Sequence, residues 1–376
     1  MERVTINSGL LVHKKKIKVL VYSKPWGAPQ QRKQCSFSLT SGARAFSELV
    51  ASRRGCILTF KDHGNDEDNV AVANWVALAV SANEDITGLR FHFRTGDLHD
   101  PDAFFEAMAM NPRLKRFEFR QPIMSDGVVD RIVSLLALSR NLKRLTLHSD
   151  FQQRGIPWTI TTALRNHVLL THLTLIPDTL FTRYNNIIDI FQPDGRIALT
   201  YFDISACYVN EKDLIDLLYY FEEDWTLKVL KFSFSDSCFN LFIALEEFIT
   251  YNGSVKELVA RQHKGYMHCR LFGLDEIGRA VAENTALRHV ELWNSTMKFS
   301  VFEKILAANR IKTFVGRVHE RKESDDAPLP FNSTLCKGKI MAGLTGVPHD
   351  VLALVARNAH NYYTRKQSIT AFFPRD

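Results

Sequence analysis

The stretch Leu114-Lys-Arg-Phe117-Glu-Phe119 decides the fold, because its apolar residues at the first, fourth and sixth positions form a pattern that recurs along most of the chain. The steps between successive first positions are 28, 28, 28, 29, 28, 28, 32, 24 and 24 residues, and these positions are Ile86, Leu114, Leu142, Leu170, Leu199, Leu227, Val255, Leu287, Ile311 and Leu335. A nearly constant interval in this range is typical of stacked repeats, in which each unit buries its apolar residues against its neighbours.

Each interval after residue 70 has room for one strand and one amphipathic helix. Apolar residues three and four apart, such as Val128, Ile132 and Leu135, predict helices over residues 102–110, 125–139, 211–221, 239–250, 275–283 and 300–308. A helix supplies the crossover that two neighbouring parallel strands need. Because helices are wider than strands, we expect an α/β solenoid that curves into a horseshoe, with a parallel sheet on its concave face and helices on its convex face.

This pattern resembles the leucine-rich repeats of the ribonuclease-inhibitor-like class, which includes ribonuclease inhibitor, the Ran GTPase-activating proteins and the sensor arms of NOD-like receptors. The resemblance covers about residues 70–345 and implies the horseshoe fold. Phenylalanine replaces leucine at several core positions, which overfills a slot unless neighbouring side chains are smaller. Gly316 and Gly338 stand where the pattern requires an apolar residue, so the last two repeats are expected to be weak.

Residues 1–61 form a distinct basic region. They contain 12 lysines and arginines and 2 acidic residues, whereas the remainder contains 36 and 39, for a net charge of +7 over the whole chain. Strand-like runs at residues 17–22, 35–40 and 56–60 are bounded by turn residues. Leu58 and Phe60 match the last two apolar positions of a repeat, so we expect a small basic β-rich cap whose third strand is a degenerate first repeat strand.

The other boundaries follow from composition: a polar joint over 62–69, repeats over 70–345, a C-terminal helix or cap over 346–363 and a tail over 364–376. Asparagine often closes an interval just before the next strand, at Asn111, Asn141, Asn166, Asn252, Asn284, Asn309 and Asn332. Because asparagine tolerates the left-handed backbone conformation that ends many helices, we expect these residues to adopt it.

Composition and motifs also limit the class of protein. No apolar run is long enough to span a bilayer. The N-terminus has its apolar and basic residues in the wrong order for a secretory signal, so an intracellular location, cytoplasm or nucleus, is expected. The six cysteines are far apart and form no CxxC motif, which disfavours a zinc site. The chain has no phosphate-binding loop, dinucleotide-binding, metalloprotease or nucleophile-elbow motif, so we predict a non-enzymatic protein with no cofactor and no metal.

The concave face is the first candidate site, because strand alternation exposes the third and fifth positions of each pattern. The predicted partner-binding residues on it are Arg90, Lys115, Arg116, Glu118, Lys143, Arg144, His172, Tyr201, Asp203, Lys231, His289 and Glu291. The basic column of Lys115, Arg116, Lys143 and Arg144 suits an acidic protein partner. A solvated sheet face without a partner is the alternative.

The basic N-terminus is the second candidate site, and its cationic residues are Lys14, Lys15, Lys16, Lys18, Arg32 and Lys33. With the nearby aromatic residues Tyr22, Trp26 and Phe37, they fit phosphate contacts and base stacking on a nucleic acid. The same lysines fit a nuclear import signal, or a cap that is merely soluble.

The tail is the third candidate site, because Lys366, Gln367, Ile369, Phe372 and Phe373 resemble a degenerate PCNA-interacting-peptide box. One turn of 3₁₀ helix would place the aliphatic residue and the two phenylalanines on one side, where they plug a hydrophobic pocket. The first position departs from the box, which prefers glutamine where this chain has Lys366. These apolar residues alternatively fold back over the last repeat as its cap.

The sequence therefore predicts a scaffold that binds a protein partner on the concave face of a leucine-rich-repeat arc, without contact to a membrane. One alternative is a nuclear replication or chromatin factor that uses the basic N-terminus for nucleic acid and the tail for PCNA. Another is a small-GTPase-activating protein, a function that the fold class permits but that no residue of this chain indicates.

Overall fold

The computed structural model describes residues 3–7, 16–23, 31–38, 48, 57–61, 77, 79–80, 83, 86–92, 101–151, 156–177, 186–191, 197–234, 239–262, 274–298, 313–319 and 334–339. The chain forms two compact units, unit 1 over Met1–Leu199 and unit 2 over Thr200–Asp376. Within each unit, consecutive repeat strands pair in parallel.

The strands of unit 1 are β1 Arg3–Asn7, β2 Lys16–Ser23, β3 Gln31–Ser38, β4 Ile57–Lys61, β5 Gly88–His92, β6 Arg116–Met124, β7 Arg144–Phe151 and β8 His172–Ile176. Strands β4 to β8 pair in parallel and in serial order. Strand β1, which the sequence pattern did not predict, pairs in parallel with β4 and antiparallel with β2, and β2 pairs antiparallel with β3.

The helices of unit 1 with described bounds are α1 Pro101–Met110, α2 Asp126–Leu138 and α3 Trp158–Arg165, which lie between parallel strands, followed by a 3₁₀ helix at Ile187–Phe191. Helix α2 is amphipathic, because Val128, Ile132 and Leu135 are buried on one side of it while Asp130 is exposed. Strand and helix therefore alternate along the unit, as the repeat interval predicts.

Unit 2 repeats this arrangement, with strands β9 Tyr201–Ile204, β10 Val229–Phe234, β11 Glu257–Gln262, β12 His289–Lys298, β13 Thr313–His319 and β14 Thr334–Lys339, and helices α4 Glu211–Glu222, α5 Phe239–Tyr251 and α6 Leu274–Glu283. Strands β9 to β13 pair in parallel and in serial order. Helix α4 begins after Asn210, whose side-chain oxygen accepts a hydrogen bond of 2.7 Å from the backbone N–H of Asp213. The fold is thus a repeat-type α/β fold in which consecutive repeat strands pair in parallel within each unit.

Two predicted strands have contrasting outcomes. The degenerate first repeat strand is confirmed, because Leu58 and Phe60 in β4 lie opposite Leu89 and Phe91 in β5. The tenth pattern segment is not a parallel repeat strand, because β14 runs antiparallel to β13. The residues before Leu335 are charged and contain two prolines, so their sequence lacks the amphipathic pattern of a crossover helix. The helix predicted at 300–308 lies outside the described residues.

The core follows the predicted pattern, with the first, fourth and sixth positions buried. In the third step of unit 1, Leu142, Leu145 and Leu147 are each at most 1% exposed. Phenylalanine is accommodated by ring packing between sheet and helix, since the Phe105 ring of α1 lies 6.1 Å and 5.9 Å from those of Phe117 and Phe119.

The described asparagines before the strands do not adopt a left-handed backbone, which corrects the expectation for Asn111, Asn141, Asn166, Asn252 and Asn284, whereas Asn309 and Asn332 lie outside the described residues. Among the described residues other than glycine, Asn186 alone has a positive φ, of 62°. The side chain of Asn252 donates to the Phe221 carbonyl at 2.6 Å and accepts from the N–H groups of Ser254 and Val255 at 2.9 and 2.8 Å.

The same arrangement links other repeats. Asn284 donates to the carbonyl oxygen of Asn252 at 2.9 Å, and Asn111 donates to that of Asn83, 28 residues earlier, at 3.3 Å. We call these contacts the asparagine ladder. They satisfy polar groups that are buried where each helix ends and the next strand begins.

No helix among the described residues is long and apolar enough to cross a membrane.

Candidate functional site

The polar side of the unit 1 sheet is built by strand register. Residues that alternate with the buried leucines and phenylalanines of β5 to β8 form what we call the unit 1 face: Arg90, His92, Arg116, Glu118, Arg120, Arg144, Thr146, His148, His172 and Thr174. Register places Arg116, Arg144 and His172 in one row across three strands. Neighbouring strands are about 4.8 Å apart, so these side chains are adjacent.

Charge on the unit 1 face is unbalanced. Its ten residues include four arginines and one carboxylate, Glu118, and alternation along β7 places a second carboxylate, Asp150, further along the same side. Glu118 is engaged within the face, because Arg90 Nε and His92 Nε2 each lie 2.9 Å from one of its oxygens. Burial by itself would raise the pKa of Glu118, but the hydrogen bond from His92 and the charges of Arg90, His92 and His148 lower it below its usual value. Glu118 therefore stays ionised at neutral pH and offsets part of the positive charge nearest Arg90.

The pKa of His172 is affected by the two arginines that share its row. Burial is the largest cause that lowers the pKa of His172, and the charges of Arg144 and Arg116 lower it further. Its Nδ1 lies 2.9 Å from the Thr171 hydroxyl oxygen, which holds the ring at the end of the row. A potential that disfavours protonation of a histidine favours a bound anion.

Lys115 and Lys143 lie at the amino edge of this sheet, just before β6 and β7, and both are exposed. The Lys115 carbonyl accepts hydrogen bonds of 2.9 Å from the N–H groups of Lys143 and Arg144. The backbone thus holds the predicted basic column of four residues along adjacent strands. The structure brings Lys115, Arg116, Lys143 and Arg144 together.

The corresponding side of the unit 2 sheet has paired charges. Lys231 Nζ lies 2.6 Å from Glu257 and 5.5 Å from the centre of the Tyr201 ring. The Tyr201 hydroxyl donates to Asp203 at 2.9 Å. Burial, then the charge of Asp203, raises the pKa of Tyr201. Its hydroxyl therefore stays protonated at neutral pH.

A second paired group lies on β11 and β12. Glu291 contacts Arg261 at 3.2 Å and His289 at 3.1 Å. Val259, a fifth-position residue that the pattern exposes, is only 1% exposed. Register places it between Lys231 and Glu291. The predicted unit 2 residues are therefore partners of one another.

Sequence reasoning missed the residues at the seventh position of each pattern, namely His92, Arg120, His148 and Arg261. Continuing the alternation by two residues would have found them, because β5, β6, β7 and β11 extend beyond the six-residue pattern.

Two predicted sites fall partly or wholly outside the described residues. Lys16 and Lys18 lie in β2, and Arg32 and Lys33 lie in β3 opposite Tyr22 and Val21. Lys14, Lys15 and all tail residues of the clamp-binding prediction (Lys366, Gln367, Ile369, Phe372 and Phe373) lie outside the described part of the chain, as do the proposed joint over 62–69 and the segment over 346–363.

Within the residues that the structure describes, no group of three or more histidine, cysteine, aspartate or glutamate side chains is arranged to hold a metal ion.

Comparisons with known proteins give no family. No family model matches the chain, and no curated protein matches it. A crystal structure of a Bacteroides fragilis protein, solved as a structural-genomics target, aligns with 77% of this chain and 95% of its own length at 12% identity and a TM-score of 0.38. This score is too low to transfer anything from that protein.

Proposed function

We propose that this chain is a leucine-rich-repeat protein of the ribonuclease-inhibitor-like class and that its unit 1 face binds an acidic segment of a protein partner. The class is supported by the repeat interval near 28 residues and by parallel strands that follow one another in serial order with helices between them. In this proposal the protein acts by binding and not by catalysis.

The observation that carries the binding proposal is the charge of the unit 1 face, where four arginines stand against one glutamate that Arg90 and His92 already engage. Carboxylates of a partner would be attracted to this excess of arginine, and electrostatic complementarity of this kind raises association rates and selects partners. The arginines project from paired strands, so little backbone entropy is lost on binding.

Charge reversal tests this proposal. A fluorescent glutamate-rich peptide is titrated against the full chain, against Arg116→Glu with Arg144→Glu, and against Arg131→Glu with Lys212→Glu. The second variant makes the same change in net charge on helices α2 and α4. We expect at least about tenfold weaker binding for the first variant only, and weaker binding as salt rises.

Equal binding by both double variants would contradict the proposal, because the attraction would then reflect net charge alone. A single-stranded oligonucleotide serves as a second probe. Tighter, sequence-independent binding of the oligonucleotide that also depends on Arg116 and Arg144 would replace the protein partner with a nucleic acid.

A second proposal is a nuclear factor that contacts nucleic acid through residues 1–61 and PCNA through the tail. Antiparallel pairing of β2 with β3 supports it, because that pairing places Lys16, Lys18, Arg32 and Lys33 on one two-stranded ribbon. One test measures PCNA binding by the full chain and by the double variant Phe372→Ala with Phe373→Ala. The other measures DNA binding by the full chain and by the double variant Lys16→Glu with Lys18→Glu. Unchanged binding in both comparisons would contradict it.

A further inference from the structure

Four residues of the unit 1 face form a block on two neighbouring strands, which we call the threonine hollow. They are Arg144 and Thr146 on β7 and His172 and Thr174 on β8. Register places the arginine opposite the histidine and the two threonines opposite each other. Neighbouring strands are about 4.8 Å apart, and alternate residues on one strand are about 6.6 Å apart. The four side chains therefore surround one small area of the sheet.

The threonine hollow is open to solvent. Arg144 is exposed, and Thr146, His172 and Thr174 are partly exposed. Threonine side chains are short, whereas the arginine and histidine side chains beside them are longer, so the two threonines form the floor of the hollow. His148, two residues beyond Thr146 on the same side of β7, is also partly exposed and borders that floor. A small ligand can therefore enter from solvent without any change in the core.

The potential at the hollow is positive. After burial, which is the largest cause, the charges of Arg144 and Arg116 lower the pKa of His172. Both guanidinium groups are thus close enough to act on a group bound beside the histidine ring. Such a potential attracts an anion to the hollow.

The carboxylates on this side of the sheet lie away from the hollow. Glu118 is opposite Thr146 on β6, but its oxygens contact Arg90 and His92 on β5, on the far side of β6 from the hollow. Asp150 is four residues beyond Thr146 on β7, at a distance of about 13 Å along the strand. Neither carboxylate therefore occupies the position of the anion.

The donor types in the hollow match a phosphate monoester. Such a group carries a charge of roughly −1.5 to −2 and has three terminal oxygens that accept hydrogen bonds. The guanidinium group of Arg144 is a planar fork that fits two phosphate oxygens, and each threonine hydroxyl is a further donor. A single carboxylate has only two oxygens and half the charge, so it uses these donors less fully.

The composition of the unit 1 face favours a protein as the source of the phosphate. Its ten residues include no phenylalanine, tyrosine or tryptophan, which are the side chains on which single-stranded bases stack. A phosphodiester of nucleic acid also has only two free oxygens. The other arginines of the face suit carboxylates that flank a phosphorylated side chain.

We propose that the threonine hollow binds a phosphorylated serine or threonine side chain within the acidic segment of the protein partner. This inference rests on the proposed function of the unit 1 face and adds the chemical class of the group that the face selects. Arg144 binds the phosphate through its guanidinium group, and the hydroxyls of Thr146 and Thr174 donate to the phosphate oxygens. Phosphorylation of the partner then controls its affinity for this chain.

Fluorescence anisotropy with the full chain tests this site. Two labelled glutamate-rich peptides are identical except at two serine positions. One peptide carries phosphoserine at the first position, and the other carries glutamate at both, so that their net charges nearly match. We expect the phosphopeptide to bind about tenfold more tightly, because the phosphate gains charge-assisted hydrogen bonds in the hollow. Equal affinities would overturn the proposal.

A double variant locates the preference for phosphate. Thr146→Val with Thr174→Val removes both hydroxyls and preserves shape, so the tenfold ratio of affinities should fall to about twofold or less. Thr159→Val with Thr250→Val makes the same change at exposed positions on α3 and α5 and should keep the ratio. A ratio that survives the loss of Thr146 and Thr174 hydroxyls would overturn the assignment to the hollow.

Failure of the proposed function gives a different result. If the glutamate peptide binds Arg116→Glu with Arg144→Glu as tightly as it binds Arg131→Glu with Lys212→Glu, the proposed function is wrong. If it distinguishes those variants but phosphorylation brings no gain, only the phosphate site is wrong. A single-stranded oligonucleotide that displaces the labelled phosphopeptide at a lower concentration than unlabelled phosphopeptide does would overturn a protein as the source of the phosphate.

Discussion

His167 Nε2 contacts the carbonyl oxygen of Ser139 at 3.2 Å, 28 residues earlier in the chain, just as Asn111 Nδ2 contacts the carbonyl oxygen of Asn83, also 28 residues earlier. Histidine thus reproduces the donor half of the asparagine ladder. It does not reproduce the acceptor half, because its Nδ1 has no hydrogen bond among the described residues.

Replacing this histidine with asparagine should therefore stabilise the protein. In His167→Asn, the side-chain oxygen is expected to accept from the N–H groups of Leu169 and Leu170, as Asn252 accepts from Ser254 and Val255. We expect the free energy of unfolding to rise by about 1 kcal/mol, the net value of one hydrogen bond. Urea denaturation measures it, and a loss of stability in His167→Asn would contradict this account of the ladder.

Asn252→Ala should have the opposite effect. The asparagine is 2% exposed and its side chain makes hydrogen bonds in both directions, so its removal leaves buried carbonyl and N–H groups unsatisfied. A loss of about 2–4 kcal/mol is expected. Asn141→Ala, at an exposed asparagine before β7, is the matched control and should change the free energy of unfolding by less than about 1 kcal/mol. Similar losses in the two variants would show that burial of the ladder is unimportant.

Acid should weaken unit 1 through His167. Burial lowers the pKa of this histidine in the folded state, so the unfolded chain binds the proton first as pH falls below about 6.5. Its contribution to stability is complete above that pH and decreases as pH falls towards the folded-state pKa. Urea titrations from neutral to acid pH should show a shallower decrease for His167→Asn than for the natural chain. Parallel curves would exclude His167 as a source of the decrease.

Replacing glycine with alanine should lower the free energy of unfolding at Gly88 and raise it at Gly127. A Cβ on Gly88 would lie 3.1 Å from Ile57 Cγ1 and 3.3 Å from Arg116 Cβ, whereas a Cβ on Gly127 in α2 would meet nothing within 4 Å. Gly88→Ala should therefore destabilise the protein by about 1–2 kcal/mol through overpacking. Gly127→Ala should stabilise it by about 0.5–1 kcal/mol, because alanine restricts the unfolded chain. Thermal unfolding of the two variants side by side measures the difference, and a shared sign would contradict the packing at Gly88.

Glu118→Gln tests the charge balance of the unit 1 face. It removes the one carboxylate of that face and releases Arg90 and His92 from their ion pairs. If the face binds acidic segments, the glutamate-rich peptide should bind about 2–10-fold more tightly at low salt, with the gain reduced at high salt. Fluorescence anisotropy provides the measurement. Glu257→Gln, which leaves Lys231 without its ion-pair partner in unit 2, is the control and should leave the affinity unchanged.

Local periodicity allowed the buried positions and the element types to be predicted. Leu145 and Leu147 are buried while Thr146 between them is partly exposed, because alternation along a strand is a property of the backbone. Helix α2 was predicted within one residue at each end, since its apolar residues recur at helical spacing and polar residues flank it. The conformation of the asparagines could not be predicted, because their hydrogen-bond partners are about 28 residues away and become neighbours only when repeats stack.

The amino-acid sequence by itself determined the repeat, its interval and the side of each strand that meets the core, because these depend on spacing along the backbone. The tertiary structure alone decided which charges are paired. Arg90 meets Glu118 and Lys231 meets Glu257 across strand register, and Arg116 lies opposite Arg144. It also decided that β14 reverses direction, since that depends on what connects two strands and not on the pattern within either of them.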